Sequence, residues 1–329
     1  MSHGLTHALV LLRREGGEAA YDLRQFWAAH RAAGRGDAAA AALAQAARIR
    51  HVRRARESLA SYRRLERLLT PDAAAATGLD IVEAQPARFV AFIGYSRSGH
   101  SLVGSLLDAH PDAAIAHEIH AMKHLAAGAD VAAVLRATHR NARIFHVLGR
   151  DYTGYDYVVP GQWQGQVRDS VLLGDKKGNG TARLLARDPA ALARVEARMP
   201  MPVHYVHVIR NPYDNIATKA LRTGRALPDA ARRYLANVAA VEAVKAQAGA
   251  RVHDVHLDDL IADPVPVLRS LVVALGLDPE VPGYLDACTE LLFKTPSRTR
   301  DRVVWPARLR TDLETRLAAV PFLARYVES

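Results

Sequence analysis

The sequence predicts a three-layer α/β fold, a parallel sheet flanked by helices, with a helical N-terminal extension. From Ala87 onward, short apolar runs rich in β-branched residues alternate with longer segments of helical periodicity. The crossovers between these runs are long, which is typical of parallel strands covered by helices on both faces. We expect strands at 89–93, 170–173, 203–209 and 252–257, with helices between them at 131–139, 181–198, 229–247 and 265–275.

The chain is predicted to divide into a helical N-terminal extension, residues 1–85, and an α/β domain, residues 86–329. One long helix is expected over 38–69, with its apolar residues near one face and many arginines around it. We interpret these arginines as a solvated face. A helix that binds nucleic acid or an acidic partner is the alternative, but no aromatic interleaving or known nucleic-acid motif favours it. We therefore expect no nucleic-acid partner, and the amphipathic helix fits a homodimer.

Composition limits the class of protein. The chain has 329 residues, 50% of them hydrophobic, and a net charge of +10. No apolar run approaches the roughly 20 residues of a membrane span. The first residues lack a cationic lead and a small-residue cleavage site, so no signal peptide is expected. Cys288 is the one cysteine, which excludes an intrachain disulfide and favours a reducing compartment. These features predict a cytoplasmic protein without a membrane span.

A glycine-bracketed turn follows the first predicted strand and precedes a helix. This geometry directs backbone N–H groups and a helix dipole at an anion. Gly94, Gly99 and Ser101 match the phosphate-binding pattern G-x-x-x-x-G-K-[ST], but His100 occupies the lysine position and the cation is Arg97. The turn therefore predicts a nucleotide held without the usual lysine and metal. The alternatives are an ordinary βα turn, or a P-loop kinase or nucleotide hydrolase using Mg-ATP, which would need that lysine.

A second anion-binding pattern follows the strand at 203–209. Arg210 ends this strand, Asn211-Pro212 turns the chain, and Thr218 comes eight residues after Arg210 on the next predicted helix. An arginine at the carboxyl end of a parallel strand lies on the edge where α/β sheets bind ligands. A guanidinium with a hydroxyl suits a terminal phosphate. The alternative is an arginine that binds local carbonyl groups.

Together, the two patterns Gly-x-x-Arg-Ser-Gly and Arg-Asn-Pro-x-Asp-x-x-x-Thr resemble the sulfotransferases that use 3′-phosphoadenosine 5′-phosphosulfate (PAPS), whose fold is P-loop-like. A third stretch, 255–277, resembles that family's strand-"EDL"-helix segment. The resemblance implies that PAPS is the donor and adenosine 3′,5′-bisphosphate (PAP) the product. It implies a 5′-phosphosulfate site made by Arg97, Ser98, Gly99, His100 and Ser101, and a 3′-phosphate site made by Arg210 and Thr218. His100 replaces the family's usual threonine, and no counterpart of the Arg-Lys-Gly loop of cytosolic relatives is evident.

The arginine form of the turn, followed by Leu-Leu-Asp-Ala-His-Pro, resembles the tyrosylprotein sulfotransferases and related bacterial enzymes. Their catalytic glutamate comes 21 residues after the arginine, and Glu118 stands at that distance from Arg97. A carboxylate just beyond a phosphate-binding helix is also a reasonable general base on its own chemistry. His117 and His120 are rival bases, because imidazole titrates nearer neutrality. A purely structural role for this stretch is the third possibility.

Other residues are implied in stabilising the transition state together with Arg97. Lys176 follows a predicted strand, as a lysine does in relatives of this family. Lys177 is the competing choice for this role. The alternative is that both lysines are solvated and have no role in the reaction. Thr299, in Thr-x-Asp-x-Val-x-x-Pro, resembles a serine motif of the tyrosylprotein enzymes. Arg298 and Arg300 flank it in a loop that we expect to close over the cofactor, and surface arginines are the alternative.

No metal is expected. His117, His120 and His124 do not match H-E-x-x-H, and positioned cations with N–H dipoles stabilise sulfuryl transfer without one. The expected partners are the nucleotide donor and a hydroxyl-bearing acceptor, which is a peptide tyrosine, a sugar, a lipid or a small natural product. Acceptor specificity is assigned to the aromatic, glycine-rich loop 152–165 and the N-terminal helices. A non-catalytic binding module that uses the arginine-rich helix is the remaining hypothesis.

Overall fold

The computed structural model describes residues 86–148, 157–169 and 171–327. The predicted N-terminal extension, its arginine-rich helix and the homodimer assigned to it lie outside these residues. So do positions 152–156 of the predicted specificity loop and the first position of the strand expected at 170–173.

Five strands form a parallel sheet with helices between them, in the order β2-β3-β1-β4-β5. The strands are β1 (Arg88–Gly94), β2 (Ala113–Ala116), β3 (Leu172–Asp175), β4 (Val203–Ile209) and β5 (Val252–His256). The helices are α1 (His100–Asp108), α2 (Ala121–Ala126), α3 (Val131–Leu148), α4 (Gly178–Arg187), α5 (Ala190–Glu196), α6 (Pro212–Thr223), α7 (Leu227–Ala248), α8 (Leu257–Ala262), α9 (Pro264–Ala274), α10 (Tyr284–Glu290) and α11 (Ala307–Ala318). The predicted α/β class, with a parallel sheet flanked by helices, is confirmed.

The larger compact unit comprises 88–103 and 176–327. In it, β1 and β5 both pair with β4: Phe89 lies opposite Val203, and Tyr205 lies opposite Val252. Every residue of β1 after Arg88 is buried, as expected for a strand covered on both faces. Near the carboxyl end of β4, Ile209 belongs to an apolar cluster with residues of α6, α7 and α11. This packing fixes the start of α6, where the second predicted motif lies.

The smaller compact unit includes 104–175. Here β2 and β3 pair in parallel, with Ala113 opposite Leu172 and Ala116 opposite Asp175. The Asp108 carboxylate accepts a hydrogen bond from the backbone N–H of Ile115 at 2.6 Å, which fixes the entry into β2. In the described part of the predicted specificity loop, 157–165 is irregular, and the Gln164 amide donates to the carbonyls of Ser105 and Tyr157.

The predicted element bounds differ from the observed ones at several places. The helix expected at 131–139 extends to Leu148. Strand β2 was not predicted, because Ala-Ala-Ile-Ala is short and carries little β-propensity. The third strand is Leu172–Asp175 rather than 170–173. The helix expected at 181–198 is two helices, α4 and α5, separated at Asp188-Pro189, because a residue before proline is disfavoured in helical geometry. No helix among the described residues is long and apolar enough to cross a membrane.

Candidate functional site

The turn between β1 and α1 holds the residues of the first predicted anion site. Gly94, Arg97 and Gly99 have φ angles of 118°, 73° and 101°. The left-handed conformation at Arg97 costs roughly 1–2 kcal/mol for a residue with a side chain. Such strained residues cluster at ligand sites, where surrounding contacts hold them in place. The Ser98 hydroxyl is one of those contacts, because it donates to the Tyr95 carbonyl at 2.8 Å.

His100 begins α1 at the position of the phosphate-binding lysine. Its Nε2 lies 3.0 Å from the carbonyl oxygen of Ile93. Because a carbonyl only accepts, this nitrogen must carry the proton and donate. The ring is 8% exposed and packs edge-on against Phe92. It also lies against Gly178, where a Cβ atom would come within 2.3 Å of the His100 Cε1 atom. The side chain therefore ties the start of α1 to β1, and its predicted role at the donor's 5′ end stays a prediction.

Lys176 brings a cation to the turn from the residue after β3. Its Nζ donates to the Ser101 hydroxyl at 2.8 Å, and the side chain is buried, at 4% exposure. Burying an ammonium group is costly unless it is paired or hydrogen-bonded, and the Ser101 hydroxyl supplies one hydrogen bond. Lys177, the competing choice, is more exposed, and its backbone carbonyl accepts from Thr181 in the first turn of α4.

Arg210 connects three segments of the larger unit. Its Nη1 donates to the Arg97 carbonyl at 3.2 Å and to the Thr218 hydroxyl at 3.1 Å. Its Nη2 donates to the Ser297 carbonyl at 3.3 Å and to the Thr299 hydroxyl at 3.1 Å. Burial lowers the pKa of the guanidinium, but arginine remains charged in proteins. The structure thus brings together the predicted residues Arg97, Arg210, Thr218 and Thr299 around one half-buried positive charge.

The sequence after β4 explains how Arg210 is held. The Asn211 side chain caps α6 by accepting from the N–H groups of Tyr213 and Asp214, and Pro212 occupies the first turn. One turn further, the Asn215 amide donates to the Ser96 carbonyl at 3.2 Å. The start of α6 is therefore bound directly to the anion-binding turn. Asn215 was not predicted, and only its place on the same helix as Thr218 could have indicated it.

The C-terminal loop is anchored by the aspartate of the second motif, to which the sequence alone assigned no role. Asp214, 2% exposed, accepts from both the backbone N–H and the guanidinium of Arg300, each at 2.7 Å. The Arg300 carbonyl in turn accepts from the Trp305 indole at 3.1 Å. Arg298 is largely exposed and pairs with Asp301. In this conformation Thr299 faces Arg210 while Arg300 anchors the loop, and cofactor binding by Arg298 and Arg300 stays a prediction.

In the smaller unit, the predicted base lies in a strained segment after β2. Glu118 and His120 have φ angles of 62° and 61°. The Asp175 carboxylate accepts from the N–H groups of Ile119 at 3.0 Å and Ala121 at 2.9 Å, and so holds the backbone on the C-terminal side of Glu118. Among the described residues, those with side chains and positive φ are Arg97, Glu118 and His120, and the sequence had singled out each of them.

Two other kinds of reactive site bear on the described residues, a metal centre and a nucleophilic cysteine. Within the described residues, no group of three or more histidine, cysteine, aspartate or glutamate side chains is arranged to hold a metal ion. Cys288 is fully buried, and burial raises the pKa of its thiol to about 12. Because the thiolate is the reactive form, this cysteine is not a nucleophile at neutral pH.

A family model identifies the family to which the chain belongs. The family model described as "Sulfotransferase family" matches residues 90–280. The comparison with curated proteins gave no match. Among solved structures, the chain is similar to the sulfotransferase domain of the Synechococcus PCC 7002 olefin synthase, with 18% identity over 71% of this chain and 94% of that one and a TM-score of 0.41. It is also similar to a sulfotransferase from Alicyclobacillus acidocaldarius, with 17% identity over 74% of this chain and 94% of that one and a TM-score of 0.41. For mouse sulfotransferase SULT7A1 complexed with PAP, the identity is 12% over 77% of this chain and 90% of that one, and the TM-score is 0.42.

Proposed function

The chain belongs to the sulfotransferase family, and we propose that it transfers a sulfuryl group from PAPS to a hydroxyl group of an acceptor. The observation that carries the donor assignment is the hydrogen-bonding of Arg210. One half-buried guanidinium contacts the turn, the Thr218 hydroxyl and the C-terminal loop, so its charge lies where three segments meet. A phosphate there would form charge-assisted hydrogen bonds, which are stronger than those to neutral carbonyls.

The residues fit the two ends of PAPS. Arg210 and Thr218 would hold the 3′-phosphate, as a guanidinium and a hydroxyl already 3.1 Å apart. The backbone N–H groups of the turn and of the start of α1 would hold the 5′ end, with Ser101 and the Lys176 ammonium beside them. PAPS itself supplies the activated sulfuryl group. The proposal needs no metal ion, because these cations and dipoles supply the positive field.

We assign the proton transfer to Glu118. When the acceptor oxygen attacks sulfur, a new O–S bond forms and the bond from sulfur to the 5′-phosphate oxygen breaks, which releases PAP. The acceptor's hydroxyl proton passes to the Glu118 carboxylate. Lys176 would stabilise the charge that develops on the leaving phosphate, and Thr299 would assist through its contact with Arg210. His117 and His120 remain the rival bases.

Binding measurements test the donor assignment. Calorimetric titrations would compare PAP, adenosine 5′-phosphate, and ATP with and without magnesium. We expect PAP to bind without metal and more tightly than adenosine 5′-phosphate, because only PAP carries the 3′-phosphate. PAP at 100 times its dissociation constant should stabilise the protein by about 2.7 kcal/mol in a thermal melt. Binding of magnesium-ATP alone would overturn the proposal in favour of a kinase or hydrolase, and failure of every nucleotide to bind would also overturn it.

A cytoplasmic location, a bacterial source and a homodimer stay predictions from the sequence. The acceptor assignment also stays at the level of a hydroxyl-bearing molecule, because a peptide tyrosine, a sugar, a lipid and a small natural product all present the same reacting group. The loop 152–165 and the N-terminal helices were expected to select among these acceptors. Most of their residues lie outside the described part of the chain.

A further inference from the structure

The larger unit contains a basic cavity beside the anion-binding turn. Its volume is about 490 Å³, and residues of α4, α6, α7 and the turn line it. Five lining residues are cationic: Arg183, Arg187, Lys219, Arg225 and Arg233. The other polar lining residues are neutral, and no aspartate or glutamate is among the lining residues. A concave surface of this size that carries one sign of charge concentrates small counter-ions.

In the part of the chain that the structure describes, the side chains of these five cations are unpaired, unlike those of some other basic residues in the same unit. Within the described ranges, none of their side chains makes a hydrogen bond or an ion pair. By contrast, Arg232 on the same helix as Arg233 pairs with Asp229, and Lys245 further along it pairs with Asp254. Where acidic neighbours are present, basic side chains of this unit use them. Among the described residues, five unpaired cations therefore line the cavity, whereas others of the unit, such as Arg222 and Arg308, are not among its lining residues.

The positive charges around the cavity affect the ammonium group of Lys219. This residue is half-buried on α6, and burial lowers the pKa of its ammonium group. The positive charges of Arg97, Arg225, Arg233 and Arg183 lower the pKa further. A bound anion would offset this repulsion, whereas a neutral or cationic molecule would not.

The cavity is separate from the group around Arg210. Neither Arg210 nor Thr218 lines it, although Thr218 and Lys219 are neighbours in sequence. Successive residues of a helix point about 100° apart, so α6 directs Thr218 to Arg210 and Lys219 to the cavity. Tyr95 and Ser96 of the turn do line the cavity, and the Asn215 amide holds the Ser96 carbonyl at 3.2 Å. The two groups of cations thus contact the same turn through different residues, Arg210 through the Arg97 carbonyl and the cavity through Tyr95 and Ser96.

We propose that this cavity is a second anion site, which binds a small molecule carrying two or more anionic groups. Its volume is within the range of about 300–1,000 Å³ typical of small-molecule pockets. Resting on the function proposed above, the occupant is the acceptor, because the cavity adjoins the turn assigned to the 5′-phosphosulfate. The acceptor class then narrows to alcohols or phenols that also carry phosphate, sulfate or carboxylate groups.

Titration with tripolyphosphate tests the anion site on the full chain. We expect Arg183→Gln and Arg233→Gln each to weaken tripolyphosphate binding by about tenfold, the lower end of the range for one charged hydrogen bond. Arg308→Gln is the matched control, because Arg308 is an exposed arginine on α11 away from the cavity. Arg210→Ala reports on the 3′-phosphate site in the same titration, and the circular dichroism of each variant reports on folding.

Unchanged affinity in both cavity variants would overturn the proposal. So would a loss in Arg210→Ala without a loss in the cavity variants, since tripolyphosphate would then occupy the other site. An equal loss in Arg308→Gln would also overturn it, because it would mean a general charge effect. A parallel PAP titration keeps the two proposals apart. If PAP fails to bind the parent protein, the donor assignment fails, while the tripolyphosphate comparison still decides on the cavity.

Discussion

Removal of the Arg210 guanidinium is the sharpest test of the donor assignment. In the structure this side chain makes four hydrogen bonds, at 3.2 and 3.1 Å from Nη1 and 3.3 and 3.1 Å from Nη2. Two of them end on hydroxyl groups, Thr218 and Thr299, which can turn to face a phosphate. A hydrogen bond that involves a charged group contributes about 1.5–3 kcal/mol. For Arg210→Ala we therefore expect the dissociation constant of PAP to rise by about 10- to 150-fold.

The assay compares two nucleotides that differ by one phosphate. Calorimetry would measure PAP and adenosine 5′-phosphate against the parent protein, Arg210→Ala and Arg210→Lys. The loss in Arg210→Ala should fall on PAP and spare adenosine 5′-phosphate, because the latter has no 3′-phosphate. Arg210→Lys keeps the charge but loses the fork of donors, so its affinity for PAP should lie between the other two.

If Arg210→Ala binds PAP as tightly as the parent does, Arg210 does not hold the 3′-phosphate. This role is also refuted if both nucleotides lose affinity equally, because that result would show that Arg210 only holds the turn through the Arg97 carbonyl. Thermal melts of each variant without nucleotide distinguish a misfolded protein from a folded one with a weakened site.

Three further substitutions test other parts of the site. Glu118→Gln should lower kcat by about 10²- to 10⁴-fold with PAP affinity unchanged, and steady-state kinetics showing full activity would remove Glu118 as the base. Asp214→Asn breaks the buried pair with Arg300 and should lower the free energy of unfolding by about 3–5 kcal/mol, so a denaturant midpoint equal to the parent's would contradict the anchoring role. Gly178→Ala should cost about 1–3 kcal/mol through its clash with His100, and combining it with His100→Thr should recover most of that loss, whereas additive losses would contradict the contact.

The sequence predicted those features that depend on local patterns. Strands β1 and β4 were found because Phe89 to Ile93 and Val203 to Ile209 are apolar runs of the length that buried strands need. Strand β2 was missed because its alanines give no such pattern, and its place is fixed by contacts such as that of Asp108 with Ile115. Helix α7 was predicted nearly in full because its periodicity extends over several turns.

In the candidate site, too, residues in local motifs were predicted, and residues that act through distant contacts were not. Arg210 and Thr218 were found through a motif, and the structure brings them together with Thr299. Asp214 and Asp175 act through partners up to 86 residues away in the chain, so no local pattern indicates what they hold. The basic cavity was not predicted for a similar reason, because its cations are spread over several helices and look like ordinary surface arginines in the sequence.

The contact between His100 and Gly178 also constrains the order in which this sequence can change. A side chain at 178 would meet the imidazole ring at 2.3 Å, so glycine is favoured there as long as histidine occupies 100. A smaller residue at 100 is expected to come first, and that step gives up the Nε2 bond to the Ile93 carbonyl. An ancestor with a small residue at 100 could carry alanine or serine at 178, but a lineage that acquires the histidine loses that freedom. The two positions should therefore vary together among close relatives, with glycine at 178 accompanying histidine at 100.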